Sequence, residues 1–341
     1  MTTELTLDLV GDINLKRDLH LRAEHAFGLV DDELRSADVR MGNLEGAFFD
    51  PSVQLEYKPG WFHLEPDMAS ALDGRFDALG CANNVHHGEA IPSSTAILDR
   101  LGICHAGAGC NDVEARAPAI FTRGGTRIGL LSFTSVFWPI GHAAGVNTPG
   151  VATIKAHAAY EPNPRAVEMP GVPPIIRSWP DSSELERAEA AVRSVRPQVD
   201  CLVVYCHWGV TGSNDPTEYQ RTIGHALVDA GADIVAGSHP HQPQPVERYH
   251  DRLIFYSLGN FIFGWQMHRN ATSDGLLARV VAVDGKPVSC VLLPVQRTPE
   301  DQVAILDANE GEGARIFNII DGRSRSLGTE LRIDGSRIVV M

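Results

Sequence analysis

Two histidines flank a proline in the segment His239-Pro240-His241, which follows the short apolar run Ile234–Ala236. A loop at the carboxyl end of a strand is the usual place for a site in an open α/β sheet. Neutral imidazole is a ligand for Zn, Mn or Fe, and it also shuttles protons near neutral pH. The pattern therefore predicts functional histidines at this turn. A surface turn that happens to hold two histidines is the alternative.

Four other apolar, strand-like runs also end in polar side chains of the same few types. Carboxylates, amides and imidazoles suit either a divalent transition metal ion or metal-free acid/base catalysis. Random loops would include more Ser, Thr and Lys, so we expect at least four of these groups to share one cleft. In chain order, the groups are Asp12 with Asn14, Glu45, Asn83 with Asn84, His207, and His239 with His241.

Apolar runs alternate with helical periodicity along the chain, which is typical of an α/β fold. The predicted strands that lead into the polar groups include Leu5–Val10, Phe76–Leu79, Cys201–Cys206 and Ile234–Ala236. The predicted helices are Arg17–His25, Val30–Ser36, Pro66–Asp73, Ala90–Leu101, a helix from Asp181 to about Val195, Glu218–Ala230 and a short one near Ala314–Ile320. The predicted hairpins are Ala119–Phe133, Val246–Ser257 and Leu331–Val340, and Leu276–Val283 and Val288–Val295 are predicted as edge-like antiparallel strands.

Two segments have weak periodicity. Residues 139–180 are rich in Pro and Gly, and we predict an ordered excursion because Trp138, Tyr160 and Trp179 give it something to bury. Asp50–Glu65 is irregular and carries Tyr57, Lys58, Trp61 and Phe62, which suggests a loop over a pocket.

The composition limits the class of protein and its partners. One large α/β domain can hold 341 residues, and 43% hydrophobic content suffices for a sizeable core. The net charge of −14 argues against nucleic acid and anionic membranes as partners. The six cysteines form no CxxC pair, and no apolar run approaches the length of a membrane span or a signal peptide. We therefore expect a cytoplasmic protein with a small-molecule or peptide substrate and no organic cofactor, in an oligomeric state that stays open.

Several motifs in this order resemble the CapA/PgsA family, the poly-γ-glutamate capsule biosynthesis domain, which is similar in fold to calcineurin-like metallophosphatases. The motifs are Gly11-Asp12, Asn43-Leu44-Glu45-Gly46, Ala82-Asn83-Asn84, His207-Trp208-Gly209, Gly231-Ala232-Asp233, Gly237-x-His239-Pro240-His241 and Tyr256-Ser257-Leu258-Gly259-Asn260-Phe261. The resemblance covers about residues 5–265 and implies a four-layer α/β/β/α sandwich with its site at the strand ends. The implied domain spans residues 1–295, and residues 296–341 form a C-terminal extension packed on it.

The resemblance also implies a ligand set for a divalent metal ion such as Mn, Fe or Zn. Carried over by position, the ligands are Asp12, Glu45, Asn84, His207, His239 and His241. Three positions depart from the pattern: Asn14 stands where a His ligand is usual, Val85 where the acidic His of metallophosphatases is usual, and Thr211 where many CapA-type chains have Glu. These departures argue against a tight dinuclear centre and leave a single metal ion and a metal-free site open.

Three functions follow from this site. The first is a metal-assisted hydrolase of a phosphoester or of a peptide or γ-glutamyl bond. The second is a metal-independent peptide epimerase that uses Asp12 with His239 or His241 as an acid/base pair. The third is a non-catalytic binding protein of polyglutamate synthesis. The predicted catalytic residues are Asp12, His239, His241 and His86, and the predicted substrate-binding residues are Trp138, Arg165 and Asn83.

Overall fold

Two large β-sheets dominate the computed structural model, which describes residues 2–16, 25–53, 63–263 and 273–341. The α/β class predicted from the sequence is confirmed. The predicted helix Arg17–His25 lies almost wholly outside the described residues, as do Tyr57, Lys58, Trp61 and Phe62 of the predicted pocket loop.

The strands run through the whole described chain. They are β1 (Glu4–Asn14), β2 (Val39–Leu44), β3 (Ala78–Gly80), β4 (Cys104–Ala106), β5 (Ala108–Gly109), β6 (Ala119–Arg123), β7 (Thr126–Thr134), β8 (Gly150–Val151), β9 (Ala156–Glu161), β10 (Ile175–Pro180), β11 (Cys201–His207), β12 (Ile234–Ser238), β13 (Val246–Tyr249), β14 (Arg252–Phe255), β15 (Asn260–Phe263), β16 (Asp274–Val283), β17 (Lys286–Arg297), β18 (Val303–Ile305), β19 (Leu331–Asp334) and β20 (Arg337–Val340).

Helices connect many of these strands. The α-helices are α1 (Asp31–Arg35), α2 (Ala90–Arg100), α3 (Asp112–Ala115), α4 (Ser182–Val195), α5 (Glu218–Ala230) and α6 (Gly311–Ser326), and short 3-10 helices span Pro66–Leu72, Pro164–Val167 and Arg196–Gln198. Sequence signals explain the best-predicted boundaries: Thr217 and Gln220 form a capping box before α5, and Gly231 follows its last residue with a positive φ. Across the described ranges, every helix is too short or too polar to cross a membrane.

The larger sheet has the order β19-β20-β17-β16-β1-β2-β3-β4, with β15 also paired to β1 and β18 to β17. Strands β1 to β4 are parallel, whereas β16, β17, β19 and β20 are antiparallel to their neighbours. Residues 303–341, in the predicted C-terminal extension, thus continue the same sheet. The prediction that β16 and β17 are edge-like is wrong, since β16 lies between β1 and β17. Arg279 interrupts the apolar pattern of β16, but its guanidinium bonds the buried Asp8 of β1.

The smaller sheet has the order β13-β14-β12-β11-β7-β6. Its four inner strands are parallel, and the predicted hairpins β6–β7 and β13–β14 close its two edges. The apolar run of β11 is buried along its whole length, as expected for an inner strand of a parallel sheet. Strands β11 and β12 therefore end side by side, and His207 pairs in register with Ser238.

Three apolar clusters hold the described residues together. One contains side chains from both sheets, such as Leu7 and Met41 from the larger sheet and Val203 and Ile234 from the smaller one. A second joins α2 to the larger sheet, and a third joins α4 and α5 to the smaller sheet. Each sheet thus has apolar partners on both faces.

The excursion at residues 139–180 is ordered, as predicted, but not for the predicted reason. Strands β9 and β10 pair as an antiparallel hairpin, and Tyr160 on it is 77% exposed. Polar contacts to the start of α5 hold the hairpin instead: Glu218 accepts hydrogen bonds from Arg177 and from the Ser178 amide. Aromatic content alone was therefore a poor guide to burial here.

Tyr205 of β11 links the two sheets next to the polar strand ends. Its buried hydroxyl lies 3.1 Å from the Val10 carbonyl and 3.0 Å from the Met41 carbonyl. Val10 falls where the β1–β2 pairing shifts register, between Leu9 and Asp12. The hydroxyl therefore lies beside two carbonyls of the larger sheet in the irregular stretch just before Asp12.

We expect Tyr205→Phe to lower the free energy of unfolding by about 1–2 kcal/mol, because two buried carbonyls lose their contact with the hydroxyl. Urea denaturation measures this change, with Tyr160→Phe as the matched control on an exposed ring. Equal stability of Tyr205→Phe and the wild type would contradict the proposed link between the sheets.

Candidate metal centre

Six side chains from different parts of the chain meet where β1, β2, β11 and β12 end. Asp12 lies near the end of β1, Glu45 directly follows β2, and His207 is the last residue of β11. His241 Nδ1 lies 3.6 Å from Asp12 Oδ2, and His207 Nδ1 lies 3.8 Å from Asp12 Oδ1. Three further residues complete the ligand set that the family resemblance implies. Asn84 follows β3, and His239 and His241 follow β12.

The ligand atoms fall into two overlapping groups, Glu45–His207–His239 and Asp12–Glu45–His241. Within each group the atoms lie within 4.8 Å of one another, and both groups share Glu45. Glu45 Oε1 is 3.9 Å from His207 Nε2 and 3.8 Å from His241 Nε2. Asn84 Oδ1 adds a neutral oxygen 3.0 Å from His207 Nε2. This donor set suits Zn, Mn or Fe.

Asp12 is fully buried, and both of its carboxylate oxygens accept hydrogen bonds. The Asn43 side-chain amide donates to Oδ1 at 2.7 Å, and the His239 backbone N–H donates to Oδ2 at 3.0 Å. Burial raises the pKa of the Asp12 carboxyl, while His241 and these hydrogen bonds act in the opposite direction. The donors fix the direction in which the carboxylate faces the histidines.

Glu45 is the least compensated group of the cluster. Its Oε2 atom is buried and has no hydrogen-bond partner among the described residues. Burial, followed by the neighbouring Asp12 charge, raises the pKa of the Glu45 carboxyl well above its usual value. A buried carboxylate oxygen without a partner is costly unless a cation lies beside it, so the pocket fits a bound metal ion.

Three imidazoles face this pocket, and His207 is the most deeply buried of them. Burial, together with His239 and His241, holds the pKa of His207 well below its usual value. His239 Nδ1 lies 3.1 Å from His207 Nε2, and His239 Nε2 lies 3.2 Å from the Thr211 hydroxyl. Neutral imidazole is the form that binds a metal ion.

The turn that carries His239 and His241 is strained. His239 has φ of 96° and His241 has φ of 55°, both in the region that non-glycine residues seldom adopt. Each such residue costs on the order of 1–3 kcal/mol, and such strain clusters at functional sites. The strain is the backbone cost of aiming both rings at the carboxylates.

Three polar residues that support the cluster had no predicted role. Asn43 Nδ2 bonds Asp12, Ser238 Oγ lies 3.0 Å from His207 Nδ1, and Asn260 Oδ1 lies 2.9 Å from His241 Nδ1. Asn43 and Asn260 stand inside motifs singled out in the sequence. Asn43 precedes Glu45 by two residues and so faces the same side of β2, which is the signal that would have found it.

The loop after β3 places Asn83 and His86 away from the ligand atoms. The Asn83 amide donates to the Leu44 carbonyl at 2.7 Å, and its oxygen accepts from the Val85 and His86 amides. His86 is fully buried, its Nε2 lies 3.2 Å from Ser94 Oγ, and burial lowers its pKa to about 3. Asn83 thus shapes the loop. The predicted role of Asn83 in substrate binding and the predicted catalytic role of His86 stay predictions.

Trp138 lies beside this loop, whereas Arg165 belongs to the excursion. The Trp138 indole donates to the Asn84 carbonyl at 3.0 Å, and the side chain is 37% exposed. Arg165 is the second residue of the 3-10 helix Pro164–Val167 in the excursion, and its guanidinium contacts Met169 Sδ. Both remain predictions as substrate-binding residues. Asn14 lies beside the candidate ligands, and its side-chain amide donates to the Glu45 carbonyl at 2.6 Å.

The profile of a protein family described as "Bacterial capsule synthesis protein PGA_cap" matches residues 6–265, which include all six candidate ligands. The chain belongs to the PGA_cap family. This confirms the CapA/PgsA resemblance of the motifs. The match thus ends after β15 and before β16 in the chain.

Two curated relatives of this PGA_cap chain carry CapA names. The PGA biosynthesis protein CapA of Bacillus subtilis (strain 168) is 31% identical over 283 residues, which are 78% of this chain and 66% of that protein. The match thus spans just under two thirds of that relative. The capsule biosynthesis protein CapA of Bacillus anthracis is 26% identical, over 90% of this chain and 71% of that protein.

Among solved structures, a hypothetical protein from Thermus thermophilus has a TM-score of 0.48 to this chain. Its sequence identity is 13%, over 86% of this chain and 99% of that chain.

The raised pKa of Glu45 predicts how the stability of the metal-free protein depends on pH. Below the unfolded pKa the carboxyl is protonated in both states, and stability is lost as pH rises through the higher folded pKa. Glu45→Gln cannot ionise. In EDTA, we therefore expect its unfolding free energy to exceed that of the wild type by an amount that grows from about pH 5 to about pH 8.

Urea denaturation at several pH values measures this difference, with Glu186→Gln on the exposed face of α4 as the control. A difference between Glu45→Gln and the wild type that does not change with pH would show that the buried Glu45 charge is already compensated within the protein.

Proposed function

We propose that the chain is a metal-assisted hydrolase with a CapA-type four-layer α/β/β/α fold. The observation that carries this proposal is the pair of overlapping ligand groups that share Glu45. A set of two carboxylates, three imidazoles and one amide, drawn from separate strand ends, is far more than core packing requires.

The arrangement of apolar clusters supports the finer description of the fold. The cluster formed by both sheets corresponds to the middle of a sandwich, and the clusters under α2 and under α4 with α5 correspond to its two outer layers. We infer the metallophosphatase-like sandwich from this order of sheets and helices.

The residues that would hold the metal are Asp12, Glu45, Asn84, His207, His239 and His241. A divalent ion bound there supplies Lewis acidity toward an oxygen of the scissile group. The chain's own polar groups hold the ligands in place: Asn43 and the His239 amide fix Asp12, Asn260 contacts His241, and Thr211 contacts His239. Burial of the carboxylates keeps competing water from them, which strengthens their interaction with a cation.

The proton for a leaving group has no source at position 85. Val85, which takes the place of the acidic His in the metallophosphatase pattern, is buried and apolar. Its neighbour His86 is turned to Ser94. A leaving group that needs a proton, such as the amine of a peptide or γ-glutamyl bond, would therefore have to take it from another group or from water.

The names of the relatives support a γ-glutamyl polymer or peptide as the substrate class. Besides the two CapA proteins, a relative from Mycobacterium tuberculosis (strain ATCC 25618 / H37Rv) is named a probable polyglutamine synthesis accessory protein and is 26% identical over 87% of this chain. We infer that this chain acts on a γ-glutamyl or peptide bond, with a phosphoester as the alternative.

The other two functions have less support. An epimerase would need Asp12 as a mobile proton acceptor, yet both Asp12 oxygens accept hydrogen bonds and the carboxylate is fully buried. A binding protein of polyglutamate synthesis would not need the strained histidine turn or the ligand set. Both remain alternatives to the hydrolase, and the metal analysis and product assay described next distinguish them from it.

We expect the chain, purified without chelator, to contain Mn, Fe or Zn close to stoichiometry and to hydrolyse γ-glutamyl peptides in a reaction that EDTA stops. Asp12→Asn and His241→Ala should lose the metal and at least about 100-fold in activity. Elemental analysis and a product assay measure both, with His250→Ala in the exposed turn after β13 as the control.

Metal content far below one equivalent, with no activity on adding these ions, would reject the hydrolase. Metal-independent exchange of solvent deuterium into a substrate Cα would instead support the epimerase.

A further inference from the structure

A segment that follows β7, residues 138–142, is bonded to the loop that carries Asn84. The Trp138 indole donates to the Asn84 carbonyl at 3.0 Å, and His142 Nε2 lies 2.7 Å from the His86 carbonyl. The rings of His87 and His142 also contact, with centroids 5.1 Å apart. Strand β7 belongs to the smaller sheet and the Asn84 loop to the larger, so these bonds join the two sheets beside the metal centre.

The bonds of His142 define its tautomer. The Trp138 backbone N–H donates to Nδ1 at 3.0 Å, so Nδ1 carries the lone pair. Nε2 therefore carries the proton, which it donates to the His86 carbonyl. His142 is buried, and its own carbonyl accepts a hydrogen bond from the Val151 amide at 3.0 Å. The residue is thus held on three sides and acts as a rigid connector.

The same loop is also held from its other side. The Asn83 side chain bonds the Leu44 carbonyl, which lies next to Glu45, and accepts from the His86 amide. Between these two anchors the Asn84 side chain points to His207, with Oδ1 3.0 Å from Nε2. An amide oxygen is a weak ligand, so its contribution depends on how well the backbone around it is fixed.

We propose that His142 and Trp138 are positioning residues that hold Asn84 in the geometry that a metal ion requires. They act through the backbone carbonyls of His86 and Asn84. The inference rests on the proposed metal site and explains why the partly exposed Trp138 is anchored by its indole nitrogen.

Isothermal titration of the metal-free full chain with Co²⁺ tests this role. His142→Leu removes the two ring hydrogen bonds described above, His142→Gln keeps a donor for the His86 carbonyl, and Trp138→Phe removes the indole donor. Trp179→Phe, on the excursion hairpin, is the matched control. Each variant is also made with Asn84→Ala, which removes the side chain that His142 and Trp138 would position.

We expect His142→Leu to weaken Co²⁺ binding about 10-fold or more and Trp138→Phe several-fold. His142→Gln should recover most of the affinity, and Trp179→Phe should match the wild type. With Asn84→Ala, the same substitutions should change the affinity by less than about twofold, because the positioned ligand is gone. The Co²⁺ absorption spectrum should change with His142→Leu and return with His142→Gln.

Unchanged affinity in both His142→Leu and Trp138→Phe would overturn the inference, as would equal losses with and without Asn84. If His142→Leu does not fold in EDTA, Trp138→Phe with and without Asn84→Ala decides the question. A wild-type chain that binds no Co²⁺ would overturn the proposed function, and this inference with it.

Discussion

The Asp12 and Glu45 carboxylates lie buried together with too few protein donors for their oxygens. Asp12 receives hydrogen bonds on both oxygens, but Glu45 Oε2 has no partner within the described ranges, and three imidazoles surround the pair. Two buried carboxylates with ligand atoms within 4.8 Å of each other repel, which costs several kcal/mol unless a cation lies between them or one is protonated. The architecture around them makes sense as a means of bringing these groups together and keeping water away.

Parallel strands provide the first part of that arrangement. β1 and β2 of one sheet and β11 and β12 of the other end near one point, and Tyr205 contacts carbonyls of both β1 and β2 where their register shifts. Backbone strain at His239 and His241 provides the second part, because a regular turn after β12 would not direct both rings at the carboxylates. Asn43, Ser238 and Asn260 then fix individual ligands, in the way that outer-shell partners orient the ligands of metal sites.

Much of this could be predicted from the sequence. Apolar runs that end in Asp, Glu, Asn or His marked the strand ends, and helix α5 was predicted with the bounds that it has in the structure, Glu218–Ala230. The convergence of Asp12, Glu45, His207, His239 and His241 could be expected because parallel strands place their carboxyl ends at one edge of a sheet.

Other features depend on contacts between distant residues, which no local pattern encodes. The central position of β16 could not be predicted from its own residues, because its Arg279 bonds Asp8, which is 271 residues away along the chain. The short strand β15 was not predicted, because it pairs in parallel with β1, which lies at the other end of the sequence. The exposed Tyr160 shows that an aromatic residue in a Pro-rich segment does not by itself indicate a core. The hydrogen bond between His142 and the His86 carbonyl could not be predicted either, because His86 lies 56 residues earlier in the chain.

The central claim is that the buried carboxylates and imidazoles share a metal ion. The most direct measurement is X-ray diffraction from crystals grown with Mn²⁺, recorded on both sides of the Mn absorption edge. We predict an anomalous peak about 2.0–2.3 Å from Glu45 and from ligand atoms of His207 and His239 or of Asp12 and His241. A well-ordered site with Glu45 resolved and no anomalous peak among these atoms would contradict the account.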